Sequence, residues 1–259
     1  MNNRRSFIVG IKSTKLSSKE KNFIKRYRPW GIILFTRNIK NIQQTQKLTS
    51  EIRKIFNDKK YPILIDQEGG RVNRLKNLIS FDNLTSEFFG KKFIKNYLEF
   101  TTYYNLFIDK TSYLLRLIGV NINTCPVLDL KIKGSSNIIG DRSFSRNPKI
   151  VSKIGDICIN LFHKNGIGTV IKHIPGHGLA KVDSHYFTPV VQKELKYLGK
   201  NDFFPFKRKK SFFAMTAHII FNKIDKRNTV TQSKKLIQII RKKIGFKNIL
   251  ISDDLSMKS

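Results

Sequence analysis

An alternation of short apolar runs with longer amphipathic stretches constrains this chain more than any other feature of its sequence. Seven apolar runs, at 7–11, 31–35, 61–65, 120–123, 168–171, 212–217 and 248–251, have strand length and are rich in β-branched or aromatic residues. Most are separated by stretches of helical period. Ser17 and Glu20 form a capping box that opens a helix toward Tyr27. Further helices are predicted over 42–56, 100–118, 149–164 and 232–244, while the pattern loosens between Gly69 and Gly90. Apolar strands joined by helices make βαβ units and a parallel sheet covered on both faces. Seven such units without a glycine-rich dinucleotide fingerprint favour an α/β fold of the (β/α)8 TIM type over a doubly wound sheet. Ser259 falls just past the seventh run. The expectation is therefore one barrel domain over 1–259 that lacks its last helix–strand–helix portion.

Charge is the one unusual element of composition. Lys and Arg total 50 against 18 Asp and Glu, a formal net charge of +32. A nucleic-acid footprint gathers its basic residues on one face or tail, whereas these are scattered from Arg4 to Lys258. The excess is mostly Lys, alongside abundant Ile, Asn and Phe, which favours compositional drift over a specific nucleic-acid partner. Cys125 and Cys158 form no metal-binding spacing and fit a reducing compartment. The apolar run after Met1–Ser6 is too short for a signal peptide and meets Lys12 at once. No stretch has the length of a membrane span, so a cytoplasmic location is expected. Oligomeric state has no signature in the sequence.

In a barrel of this kind the active site lies at the C-terminal ends of the strands. Five successive predicted strands each deliver charged or imidazole groups there. The third run leads into Asp66-Gln67-Glu68-Gly69-Gly70-Arg71, with Arg74 beyond, and the fourth into Asp129 and later Gly140-Asp141-Arg142-Ser143. The fifth leads into Lys172-His173-Ile174-Pro175-Gly176-His177-Gly178 and then Asp183-Ser184-His185. The sixth ends in Thr216-Ala217-His218 and the seventh in Ser252-Asp253-Asp254. Each piece alone has a plain structural reading: Gly69-Gly70 as a turn, the Asp pair as a helix cap. The 172–185 segment is harder to dismiss, because it gathers three imidazoles, Lys172 and Asp183 around one Gly- and Pro-containing loop. His173 and His177 have the i, i+4 spacing of a helical zinc pair, but Pro175-Gly176 between them argues against a helix. No metal site is expected.

These blocks, in this order, resemble the bacterial β-N-acetylhexosaminidases of glycoside hydrolase family 3, which serve peptidoglycan recycling. The resemblance rests on Asp66–Val72, Lys172–Gly178, Asp183-Ser184-His185 and Ser252–Met257, supported by Gly31–Phe35 and Met215–His218. It implies that Asp253 is the nucleophile, His185 the general acid/base and Asp183 its orienting partner. It further implies that Asp66, Arg74, Arg142, Lys172 and His173 hold the N-acetylglucosamine ring, with no metal or organic cofactor. The expected activity is retaining exo-hydrolysis of terminal β-linked N-acetylglucosamine from muropeptides. Family members continue past the Ser-Asp-Asp-Leu-Ser-Met block. The competing expectations are a truncated homologue that binds sugar without turnover, and a basic nucleic-acid-binding protein, which would leave the strand-end residues unexplained.

Overall fold

A computed structural model describes residues 4–182 and 187–257. Seven parallel strands form one sheet: β1 (Arg5–Gly10), β2 (Pro29–Leu34), β3 (Ile63–Ile65), β4 (Ile122–Asn123), β5 (Gly168–Ile174), β7 (Phe213–Thr216) and β9 (Ile249–Ser252). They are hydrogen-bonded in the order β1-β2-β3-β4-β5-β7-β9, so neighbours in space follow the chain. Two short strands, β6 (Val190–Val191) and β8 (Ile220–Phe221), pair in a separate parallel ribbon. The sheet curls as in a TIM-type barrel. Among the described residues β1 and β9 are its two ends and do not pair with each other.

Alternation along the strands explains the two cores. Leu64, Ile122, Val170 and Phe213 project to the concave side, where Ile8, Trp30, Ile33, Met215 and Ile251 pack against them. Ile63, Ile65, Ile171 and Ala214, on the opposite side of the same strands, join the larger core. Trp30 meets Phe213 edge-on at 5.3 Å across the interior.

The helices are α1 (Ser18–Tyr27), α2 (Ile42–Phe56), α3 (Ser86–Lys95), α4 (Tyr97–Leu117), α5 (Pro148–Lys164), α6 (Leu195–Lys200) and α7 (Lys234–Ile239), the last running into a π turn over Ile240–Ile244. The predicted capping box is present: the Glu20 amide donates to Ser17 Oγ, and Ser17 N donates to Glu20 Oε2 at 2.8 Å. In α2, Thr45, Leu48, Thr49, Ile52 and Phe56 form the buried stripe that the 3.6-residue period demands. The predicted 42–56 helix coincides with α2. The remaining predicted elements agree to within a few residues, except in two places. Helix α3 starts in the loosened stretch and runs past Gly90 to Lys95, while β6 and α6 lie in the long polar and aromatic region before the sixth predicted strand and β8 just after that strand.

Candidate active site

Asp66 and Glu68 leave β3 two residues apart, so their side chains emerge together at the strand's C-terminal end. Both are met by cations from elsewhere in the chain. The Lys172 ammonium, from β5, contacts Asp66 Oδ1 and lies 2.6 Å from Glu68 Oε1. The Arg142 guanidinium donates to both oxygens of Glu68 at 2.7 Å each, a planar two-bond fork. Arg74 Nη2 donates to Asp66 Oδ2 at 3.1 Å, and Thr124 Oγ1 donates to Asp66 Oδ1 at 2.6 Å. Three cations thus surround two carboxylates, and the cluster carries one net positive charge.

The protonation states follow from that arrangement. Burial alone would raise the pKa of Asp66, but the charges of Lys172, Arg74 and Arg142 overcome it and hold the carboxyl far below the usual range. Glu68 is likewise depressed, with burial outweighed by Arg142 and Lys172. Burial works against the charge on Lys172 and Arg142 too, yet the facing carboxylates push both upward, so both stay charged.

A second carboxylate system fixes the imidazoles. Asp129, fully buried after β4, accepts from His173 Nδ1 at 2.7 Å and from the His177 amide at 2.7 Å. Binding Nδ1–H to a carboxylate leaves His173 Nε2 to face the opening. That atom lies 3.8 Å from Asp253 Oδ2, beyond the end of β9. Asp253 follows Ser252 directly, which is paired with Thr216 of β7, and its Oδ1 accepts from the Asp254 amide at 2.8 Å. His218, just past β7, is buried, and neither ring nitrogen has a partner among the described residues. Burial pushes its pKa down, so it is held neutral. His177 is pushed down to about 4 by burial and by neighbouring His173.

Carboxylates, imidazoles and guanidinium groups from five strand ends therefore converge on one rim. The model of the glycosyl hydrolase family 3 N-terminal domain matches residues 7–259. The chain belongs to glycoside hydrolase family 3. Relatives of this family 3 chain include a β-hexosaminidase of Methylococcus capsulatus, 34% identical over 251 residues, which cover 94% of this chain and 72% of that protein. The β-hexosaminidase of Thioalkalivibrio sulfidiphilus is 32% identical over 254 residues, covering 96% and 72%. The crystal structure of native NagZ from Neisseria gonorrhoeae superposes with a TM-score of 0.89 at 31% identity, covering 98% of this chain and 74% of that one. The same enzyme has been solved in complex with N-trifluoroacetyl-D-glucosamine. The family 3 assignment makes the chain kin to β-N-acetylglucosaminidases and accounts for the curled parallel sheet.

The structure brings together Asp66, Arg74, Arg142, Lys172, His173 and Asp253, all six of the predicted site residues that it describes. Asp183 and His185 lie outside the described residues. Sequence reasoning missed the roles of Glu68 and Asp129. Glu68 stood within the Asp66–Arg71 block and Asp129 at the fourth strand end, so each was visible as a residue, although its partners were not. Among the described residues no group of three or more His, Cys, Asp or Glu side chains is arranged to hold a metal ion.

Proposed function

We propose that this chain hydrolyses terminal, non-reducing β-linked N-acetylglucosamine from muropeptides, with retention of configuration. The observation that carries the reading is the convergence of Asp253 with His173 at 3.8 Å beside the Asp66–Lys172–Glu68–Arg142 cluster. A retaining hydrolase needs a nucleophile on one side of the anomeric carbon and a proton donor at the leaving oxygen. Asp253 suits the first role: it is partly exposed, anchored by one backbone amide, and placed at the end of a parallel strand. One Asp253 oxygen bonds to C1 as the C1–O bond to the aglycone breaks. The imidazole N–H of His185, oriented by Asp183, protonates the departing oxygen. Water, deprotonated by the same imidazole, then attacks C1 and frees Asp253.

Asp66, Arg74 and His173 are the groups best placed to meet sugar hydroxyls. Asp66 is an obligate acceptor because its neighbours keep it ionised. Lys172 and Arg142 hold Asp66 and Glu68 in register and lend positive potential to the same pocket. The acetamido group of N-acetylglucosamine is supported as the recognised feature by the ligand in the Neisseria structure, an N-acyl glucosamine. Both cysteines are free and buried, and no described helix is long and apolar enough to cross a membrane, which supports a reducing, cytoplasmic setting.

The test is chromophore release from an aryl N-acetyl-β-glucosaminide by the purified chain and by Asp253→Asn. Turnover in the wild type, lowered on the order of 10³-fold or more in the variant, is the expected result. Sugar binding without turnover in either protein would instead identify a non-catalytic sugar-binding homologue.

A further inference from the structure

One carboxyl beside the site has no part in the chemistry above. Asp202, just after α6, is 1% exposed, and neither of its carboxylate oxygens has a hydrogen-bond partner among the described residues. It lies against the loop that follows β5. A Cβ added at Gly176 would sit 2.8 Å from Asp202 Cβ and 2.9 Å from its carbonyl oxygen. A Cβ at Gly178 would sit 3.1 Å from Asp202 Oδ1. Both glycines therefore lie directly on Asp202. Between them, the His177 amide is tied to Asp129 Oδ1. The root of the loop is held on one side by hydrogen bonds to Asp129 and on the other by bare contact with Asp202.

Such contact tolerates a neutral carboxyl and not a charged one. An ionised Asp202 would be a desolvated anion with no donor beyond its own backbone amide, near a second anion. Asp129, on the segment after β4, is the charge that acts on it. From the loop above comes His177, held neutral down to about pH 4, and from its own segment Lys200 and Lys207, which are exposed to solvent. Burial, joined by the charge of Asp129, pushes Asp202 up to about 7.

We propose that Asp202 is a positioning residue for the hydrolysis, acting in its neutral form as the floor on which the Gly176-His177-Gly178 loop is seated. When it ionises the floor is lost, and with it the geometry of the segment that leads to Asp183 and His185. The kinetic half of this inference rests on the hydrolase reading. The structural half does not.

The experiment measures kcat/KM for an aryl N-acetyl-β-glucosaminide from pH 5 to 9, for wild type and Asp202→Asn, with thermal unfolding of both across the same range and down to pH 4. Asn keeps the shape and cannot ionise. Wild-type kcat/KM is expected to fall about tenfold per pH unit above a midpoint near 7, and this limb should move to higher pH in Asp202→Asn. The unfolding data carry their own sign. The folded carboxyl titrates near 7 and the unfolded one near 3.8, so the native state binds the extra proton. Its stabilisation is complete below 3.8 and is lost as pH rises through 7. The Tm advantage of Asp202→Asn over wild type should accordingly widen from pH 4 to 7 and stay constant above. Parallel Tm curves overturn the proposal. A widening gap with an unchanged alkaline limb also overturns it, leaving Asp202 a packing residue. If wild type shows no turnover, the hydrolase reading fails, and the Tm gap still decides the structural half. Should Asp202→Asn not fold, Asp202→Ser gives the same comparison with a smaller neutral side chain.

Discussion

Glu68 is 7% exposed and accepts both arms of the Arg142 fork while also meeting Lys172, so its charge is met entirely by protein. Removing one partner of such a buried pair costs about 3–5 kcal/mol, because the survivor is left charged without water, whereas replacing both is often close to neutral. Arg142→Met is therefore expected to lose about 3–5 kcal/mol by urea unfolding. The double variant Glu68→Met/Arg142→Met should recover much of that loss, and equal losses in the two proteins would show that Glu68 contributes nothing through Arg142. Arg142→Lys should fall between them, since an ammonium cannot reproduce two parallel bonds. This pairing was the least legible part of the site. Asp66, Lys172 and His173 could be nominated because they stand in recognisable blocks. The Glu68–Arg142 pair spans 74 residues, and the His173–Asp129 pair spans 44. Only the adjacency of parallel strands brings such residues together, and no local spacing encodes it.

At the level of elements, legibility followed how local the determinants were. The bounds of α2 could be read because an Asn41 cap and a stripe of helical period, with Leu48, Ile52 and Phe56 as its apolar members, specify them from within. The capping box of α1 is equally self-contained. Helix α3 escaped notice because Gly90 sits in its middle, where glycine costs about 1 kcal/mol relative to alanine. The structure gives the reason for the glycine. A Cβ at Gly90 would stand 1.6 Å from the Phe144 carbonyl oxygen, so α3 touches the backbone of the segment that carries Arg142. Gly199, in α6, would meet nothing within 4 Å. The same substitution should then have opposite signs at the two sites. Gly90→Ala must push Phe144 away, and a net loss of about 1–3 kcal/mol is expected, with a raised KM as Arg142 shifts. Gly199→Ala should gain about 0.4–1 kcal/mol by lowering the entropy of the unfolded chain, with KM unchanged. Thermal unfolding and steady-state kinetics on both variants check the pair. A stabilised Gly90→Ala would mean that α3 and the Phe144 segment part freely.

Over the whole molecule the seven-run alternation carried the fold class, because a parallel sheet covered on both faces leaves a strong mark on sequence. What it could not convey is how unequally the strands are protected. Residues of β3, β4 and most of β5 are buried, whereas β1 and β9, the ends of the sheet, are partly exposed along their length. The chain that holds this unequally protected sheet has a formal net charge of +32. Spread over 13752 Å² of surface, fifty basic side chains sit about 17 Å apart, against a screening length of about 30 Å at 0.01 M salt and about 10 Å at 0.1 M. At low salt each cation therefore feels several neighbours, while well above 0.1 M it feels almost none. With only 18 acidic residues to offset 50 basic ones, repulsion outweighs the exposed ion pairs, which are worth little singly. Self-repulsion opposes the compact state, so screening it should stabilise the fold. The Tm is expected to rise as NaCl goes from 0.01 to 0.5 M, with most of the gain complete by about 0.1 M, where the screening length of about 10 Å is already well below the charge spacing. A Tm that falls with salt would mean that the ion pairs outweigh the repulsion. A gain that continues steadily from 0.1 to 0.5 M would instead point to a general effect of salt on apolar burial.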